Sequence, residues 1–339
     1  MASGQNINKQ KRSGAASLLF WLVLVIIIGG VWLFLNDRTL LIDVIYGSYY
    51  SPTSELSELE SKLELTSKGE RILHASKPSI LDAVAFNNAC PNSLEDASTL
   101  GCYGDHEIYL YDIDNSELNG IKESVLAHEL LHAAWERLNP WDQESLKPLL
   151  REAFENNKES LGEHMALYSS DSYYNELHSI IGTQLNTTEM PAKLAEHYAK
   201  YFQHADSIAA YYKNYNSKFE ELQKHAEELA AKINFMRSEI DDRIEAYNAA
   251  FLILNNDTVL FNSRANNGYY SSRDAFSRDR QALIARQNNL RAEYDDINVE
   301  INEANELIAE YNNTVIKTGE LFDSINSNSM STKEDKIAE

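Results

Sequence analysis

Two long runs of apolar residues at heptad-like spacing limit this chain more than any other feature. Phe219, Leu222, Ala226, Leu229, Ile233, Met236, Ile240, Ile244, Tyr247, Phe251 and Leu254 follow one another at steps of three and four, with an extra four between Ile240 and Ile244. A helix patterned in this way carries an apolar seam that must be buried against another helix, and the extra step is a stutter in the supercoil. The same pattern runs unbroken from Leu290 through Tyr294, Ile297, Ile301, Ala304 and Ile308 to Ile325. Between the two seams the turn-rich segment Asn262 to Gly268 can reverse the chain. The expectation is an antiparallel coiled-coil hairpin over 206–325, its first arm (219–254) running roughly 54 Å at 1.5 Å per residue. Seams of this kind pair within a chain, with a second copy or with a coiled-coil partner, and the spacing does not choose among these.

At the other end, Leu18 to Leu35 is an 18-residue run without a charge, and counted from Ala15 it reaches 21, about the length of a bilayer-crossing helix. Lys9, Lys11 and Arg12 precede it, while Asp37, Arg38 and Asp43 follow. By the positive-inside rule the amino terminus stays in the cytoplasm and the rest lies outside. The apolar core is longer than that of a signal peptide, and no small-x-small cleavage site follows it. The reading is therefore a single-pass cell-membrane protein that meets the lipid bilayer through residues 15–36. Residues 1–14 form a cytoplasmic tip, 37–77 a helical stalk and 326–339 a disordered polar tail.

Cys90 and Cys102 are the only cysteines, and in an oxidising compartment they are expected to form one disulfide across a polar loop. A loop this short is stabilised by about 3 kcal/mol in the chain-entropy model. The chain has 30 basic and 52 acidic residues, a net charge of −22, and without the three cations of the tip the remainder stands at −25. Such a balance repels nucleic acid and anionic lipid and argues against a nucleic-acid role.

The segment that carries chemistry is HELLH at 128–132. Residues four apart on a helix share a face, so His128 and His132 can grip one ion, and Glu129 lies about 100° round from His128. A carboxylate there can take a proton from water at the metal, the arrangement of a zinc-dependent peptide hydrolase. The context is helical: Ser116 or Asn119 can cap a helix beginning near Gly120, Glu123 falls in its first turn and Pro140 closes it. Val125, Leu126, Leu130, Leu131 and Trp135 give the pair an apolar surround.

A catalytic zinc usually takes three protein ligands and leaves one position open. Position 135 is Trp and position 138 is Leu, which excludes the metzincin pattern with its third histidine. A glutamate on a following helix is the remaining common solution, and Tyr173 to Gly182 supplies Glu176 after Asn175. Over roughly residues 78–205 the chain resembles the gluzincin metallopeptidases, in which two motif histidines and a downstream helical glutamate hold zinc. This resemblance implies a zincin-like domain in which His128, His132 and Glu176 are the Zn2+ ligands and Glu129 the general base. Where the thermolysin-like pattern has an Asp four positions after the glutamate, this chain has Ile180. Glu163, His164, Asp171, His178 and His197 are the other candidates for third ligand. His178 is poorly set to share an ion with Glu176, because residues two apart on a helix point in nearly opposite directions.

His106 to Ile113 reads as a strand, and the pattern fits equally an internal strand of a small sheet and, as in zincin-like enzymes, a strand beside the metal helix that pairs with extended substrate backbone. Tyr168, Tyr173, Tyr174 and Tyr198 are candidate oxyanion donors. The sequence thus describes a predominantly helical α+β protein: a membrane-anchored zinc metalloendopeptidase acting on protein or peptide, with a catalytic domain at 78–205. The competing class is a non-catalytic anchored coiled-coil scaffold with a structural or relic metal site.

Overall fold

The computed structural model describes residues 13–36, 39–91, 100–161 and 172–327, and within 13–36 it describes the side chains of residues 18–30. The described residues form two units, one before Ser217 and from Ser324 onward, the other Ser217–Asp323. The first unit starts with α1 (Ser13–Asn36), α2 (Leu40–Ser48), α3 (Ser54–Leu63) and α4 (Ser67–Ala75). Thr53 and Thr66 begin α3 and α4 by accepting hydrogen bonds from Leu56 N and Gly69 N, the usual hydroxyl cap. The expected transmembrane segment 15–36 falls partly outside the described side chains. Among the described residues no helix is long and apolar enough to cross a membrane.

Residues 37–77 do not stand apart as a stalk. Leu56, Leu59 and Leu63 recur at helical spacing, and with Ile72 and Leu73 they are buried in the same core as the HELLH helix. Five aliphatic side chains removed from water at about 1.5–3 kcal/mol each outweigh anything a free-standing stalk would gain.

The sheet has three strands: β1 (Ser79–Leu81), β2 (Gly101–Gly104) and β3 (Glu107–Tyr111), in the order β1-β3-β2. β1 runs parallel to β3, and β2 antiparallel to it. Between β1 and β2 lies α5 (Ala83–Ala89), and Cys90 at its end is disulfide-bonded to Cys102 in β2. The strand expected over 106–113 is shorter because Asp105 and His106 both take positive φ (51° and 66°) and turn β2 into β3. Two consecutive left-handed residues make the tight hairpin turn that matches strand twist.

α6 (Ile121–Arg137) is the central helix, with Leu126, Ala127, Leu130, Leu131 and Ala133 fully buried. Its cap is neither Ser116 nor Asn119 but Gly120, at φ 96°. A Cβ there would sit 2.8 Å from the Tyr211 carbonyl oxygen, so both the backbone angle and the close approach require glycine. α9 (Tyr173–Gln184) packs on α6, α7 (Pro140–Asn156, capped by Asn139) packs on α9, and α8 (Lys158–Leu161) and α10 (Ala192–Tyr198) pack on α7. The last described residues return to α5, where Ser327 Oγ donates to Asn87 Oδ1 at 2.7 Å. The tail expected from 326 therefore includes two placed residues, and residues 328–339, like the tip 1–12, lie outside the described residues.

The second unit is the helical hairpin, formed by α11 (Ala205–Asn266) from Ser217 onward and by α12 (Arg273–Ile325) up to Asp323. The arms pair with each other within one chain: Phe219 faces Phe322 (ring centroids 4.8 Å), Tyr247 faces Tyr294 (6.0 Å) and Phe261 faces Phe276 (5.2 Å). Arg243 bonds Glu293 at 2.8 Å, and Arg286 bonds Asp257 at 2.7 Å. The reversal falls after Asn266, later than the expected 262–268, because Phe261 packs on Tyr270 and Phe276 and extends the pairing toward the turn. At the stutter Ile240 is buried while Ile244 is 36 % exposed, as expected where the seam changes phase.

Candidate metal centre

His128 and His132 lie one turn apart on α6, and Glu176 lies in the first turn of α9, which packs along α6. Their polar atoms converge. His128 Nε2 and His132 Nε2 are 3.0 Å apart, and the two Glu176 oxygens lie 3.3 Å from them, one to each ring. A tetrahedral ion with ligands at about 2.0–2.1 Å separates its donors by roughly 3.3–3.4 Å, which the two carboxylate–imidazole distances match and the imidazole pair, at 3.0 Å, approaches from below. Two imidazoles and one carboxylate are also a catalytic zinc donor set that keeps a fourth position open. The residues present therefore fit a divalent ion, and they are the three that sequence reasoning selected.

The electrostatics suit a cation. Burial alone would lower the pKa of His132, but the hydrogen bond it donates to Glu176 and the charges of Glu129 and Glu176 raise it above the ordinary histidine value. Burial would likewise raise Glu176, yet the charges and hydrogen bonds of His128 and His132 hold its carboxyl well below the usual carboxylate range. The carboxylate is ionised and buried at 5 % exposure. A buried anion of this kind is costly without positive charge beside it.

Two further residues complete the site, and sequence reasoning did not assign them. Asn175 Oδ1 lies 3.0 Å from His132 Nδ1. It fixes the ring so that Nε2 faces the other ligands, the role outer partners play in metal sites. Ile180, where the thermolysin-like pattern has an acid, is 6 % exposed and belongs to the core. Gly101 of β2 is the second: a Cβ on it would meet Glu129 Oε1 at 2.9 Å and Val125 Cγ1 at 2.5 Å. The missing side chain is what lets β2 lie against the buried Glu129 carboxylate. An Asn before a helical Glu and a Gly beside a strand Cys were the only traces of these two in the sequence.

The rival third ligands separate cleanly. His178 and His197 are brought to each other, with Nε2 atoms 2.9 Å apart, and not to the HELLH histidines. His178 is fully buried beside Trp135, with ring centroids 5.2 Å apart. Burial pulls His197 down to about 3, helped by the charges of Lys200 and Lys68, and burial with His197 beside it takes His178 well below the ordinary value. Glu163, His164 and Asp171 lie outside the described residues, as does Tyr168. Of the candidate oxyanion donors, Tyr198 is buried and donates to the His178 carbonyl at 2.7 Å, while Tyr174 is bonded to Arg151 and Tyr173 packs on Tyr174.

The strand expected to pair with substrate, 106–113, corresponds to β3, which is the central strand and is paired on both sides. β2 is the edge strand beside the site. Tyr111 N donates to Leu100 O at 2.9 Å, and by the alternation of antiparallel pairing the backbone groups of Gly101 and Tyr103 point away from β3. No protein-family model, no curated protein and no solved structure matches the chain.

Proposed function

We propose that this protein is a gluzincin-like zinc metalloendopeptidase. The observation that carries the reading is the convergence of His128 Nε2, His132 Nε2 and the Glu176 carboxylate to mutual distances of 3.0–3.3 Å, next to the buried Glu129. Zinc held by these residues supplies a Lewis acid that polarises a carbonyl and brings the pKa of water toward about 7. The chain supplies the rest. Glu129 accepts the proton as the water oxygen adds to the peptide carbonyl carbon, and it returns that proton to the nitrogen as the C–N bond breaks. Asn175 keeps His132 oriented throughout. The outward backbone groups of Gly101 and Tyr103 offer a pairing edge for an extended peptide, giving affinity without demanding particular side chains.

The same reading places the chain in the cell membrane with its catalytic unit outside. Leu18, Phe20, Leu22, Ile26 and Ile28 of α1 are each more than half exposed, an apolar helix without a polar face, preceded by Lys9, Lys11 and Arg12. The test of the activity is cleavage of a casein-type substrate by the purified full chain. Chelation should abolish turnover and stoichiometric zinc should restore it. Turnover that survives chelation would take the metal out of the chemistry, and a zinc-loaded chain that cuts no protein or peptide would leave the scaffold reading in its place.

A further inference from the structure

α2 inverts the ordinary pattern of a surface helix: its one charged residue faces inward and its apolar residues face out. Asp43 is 3 % exposed. Its carboxylate accepts from Arg137 Nε at 2.9 Å and from Thr39 Oγ1 at 2.9 Å. Gly47, one turn on, faces the backbone of His74 and Ala75 in α4. The opposite side presents Leu41 (66 % exposed), Ile42 (56 %), Val44 (50 %), Ile45 (58 %), Tyr46 (55 %) and Tyr49 (86 %). Exposed apolar residues are ordinary when single, whereas a contiguous set on one helix marks a surface that is covered by something.

The position of this face in the chain says what covers it. α2 begins at Leu40, four residues after α1 ends at Asn36, so its first turn lies within about 14 Å of the end of α1. Aliphatic residues with tyrosines at the edge are the composition that settles at the boundary between headgroups and acyl chains. The acidic chain, at −22, has no electrostatic means of approaching an anionic membrane, which leaves apolar insertion as the attraction.

We propose that the outward face of α2 is a membrane-interface surface, embedded in the outer leaflet beside α1 and joined to the HELLH helix through the Asp43–Arg137 ion pair. The inference rests on α1 being the anchor. Arg137 lies five positions beyond His132 on α6, so the lipid-facing helix is fastened to the helix that carries the metal ligands, about 7.5 Å of rise from His132.

The test is spin-label depth measurement on the full chain reconstituted in phosphatidylcholine vesicles. Both native cysteines are joined in the disulfide, so Ile45→Cys, Tyr49→Cys, Ser57→Cys and Ile26→Cys each take a single nitroxide. The expected result is oxygen accessibility several-fold above that of a water-soluble nickel chelate at positions 45, 49 and 26, with the reverse at 57. A label at 45 as chelate-accessible as that at 57, while 26 reports the acyl region, overturns the inference and leaves the anchor standing. Chelate-accessible labels at both 45 and 26 remove the anchor and the inference together. Spin–spin broadening at 45 that disappears on dilution with unlabelled chain would show a second copy on this face and would also overturn it.

Discussion

α9 meets two histidine pairs of nearly equal spacing and opposite character, one through Glu176 and one through His178. On one side His128 and His132 have Nε2 atoms 3.0 Å apart with the Glu176 carboxylate against both. On the other His178 and His197 stand 2.9 Å apart among Trp135, Tyr198 and Tyr201. The first pair has an anion, and His132 is raised; the second lies among aromatic rings, and both of its histidines are lowered. The distance between imidazoles therefore does not make a metal site. What sets the candidate metal site apart is the carboxylate, which stabilises positive charge where desolvation alone would expel it.

The sharpest attack on the comparison is Glu129→Gln. Loss of the proton acceptor should lower turnover of a protein substrate by about 10²–10⁴-fold while bound zinc, measured by atomic absorption, is unchanged. Equal turnover would take Glu129 out of the chemistry. Gly101→Ala should come next, because its Cβ would meet Glu129 and Val125. A base displaced by an ångström costs on the order of 10²-fold in kcat, again with zinc retained, and undiminished kcat would show that β2 does not set the position of Glu129. Asn175→Ala should weaken zinc affinity by roughly 10–100-fold, read by competition with a chromogenic chelator. An unchanged affinity would reduce the Asn175–His132 hydrogen bond to a packing contact.

The smallest effect tests the other pair. The folded-state pKa of His197 lies near 3, below its ordinary 6.5, so below pH 6.5 the unfolded chain binds a proton that the folded chain refuses. Stability is fully present above 6.5 and is lost as pH falls from there toward 3, by about 1.4 kcal/mol per pH unit for such a histidine. His197→Gln should flatten the decline of Tm between pH 6.5 and 5 without altering zinc content. An identical slope in the variant would contradict the assignment of this pair as neutral and structural.

Much of this contrast was legible before the fold was known, and the parts that were not share a cause. HELLH, Glu176 and the limits of α6 are local patterns, as are the hairpin seams, and the structure brings the three ligands together. The mutual pairing of His178 and His197 joins residues 19 apart on different helices, and no spacing rule reaches that far. β1 and β2, with three and four residues, are too short to display a period, so β3 alone is readable and its place inside the sheet is not. The stripe Leu56, Leu59, Leu63 announces a buried face but does not say what buries it, so a stalk and a helix packed in the core look alike in sequence. Gly120 displaced Ser116 and Asn119 as the cap because Tyr211, some ninety residues later, leaves no room for a side chain.

Metal stoichiometry separates the two histidine pairs. The full chain, Glu176→Ala and His197→Gln would be purified side by side, exposed to equimolar zinc, desalted and analysed for metal. The account expects one zinc per chain in the parent and in His197→Gln, and none in Glu176→Ala. A full equivalent retained by Glu176→Ala, or its loss from His197→Gln alone, would place the ion elsewhere and contradict the account.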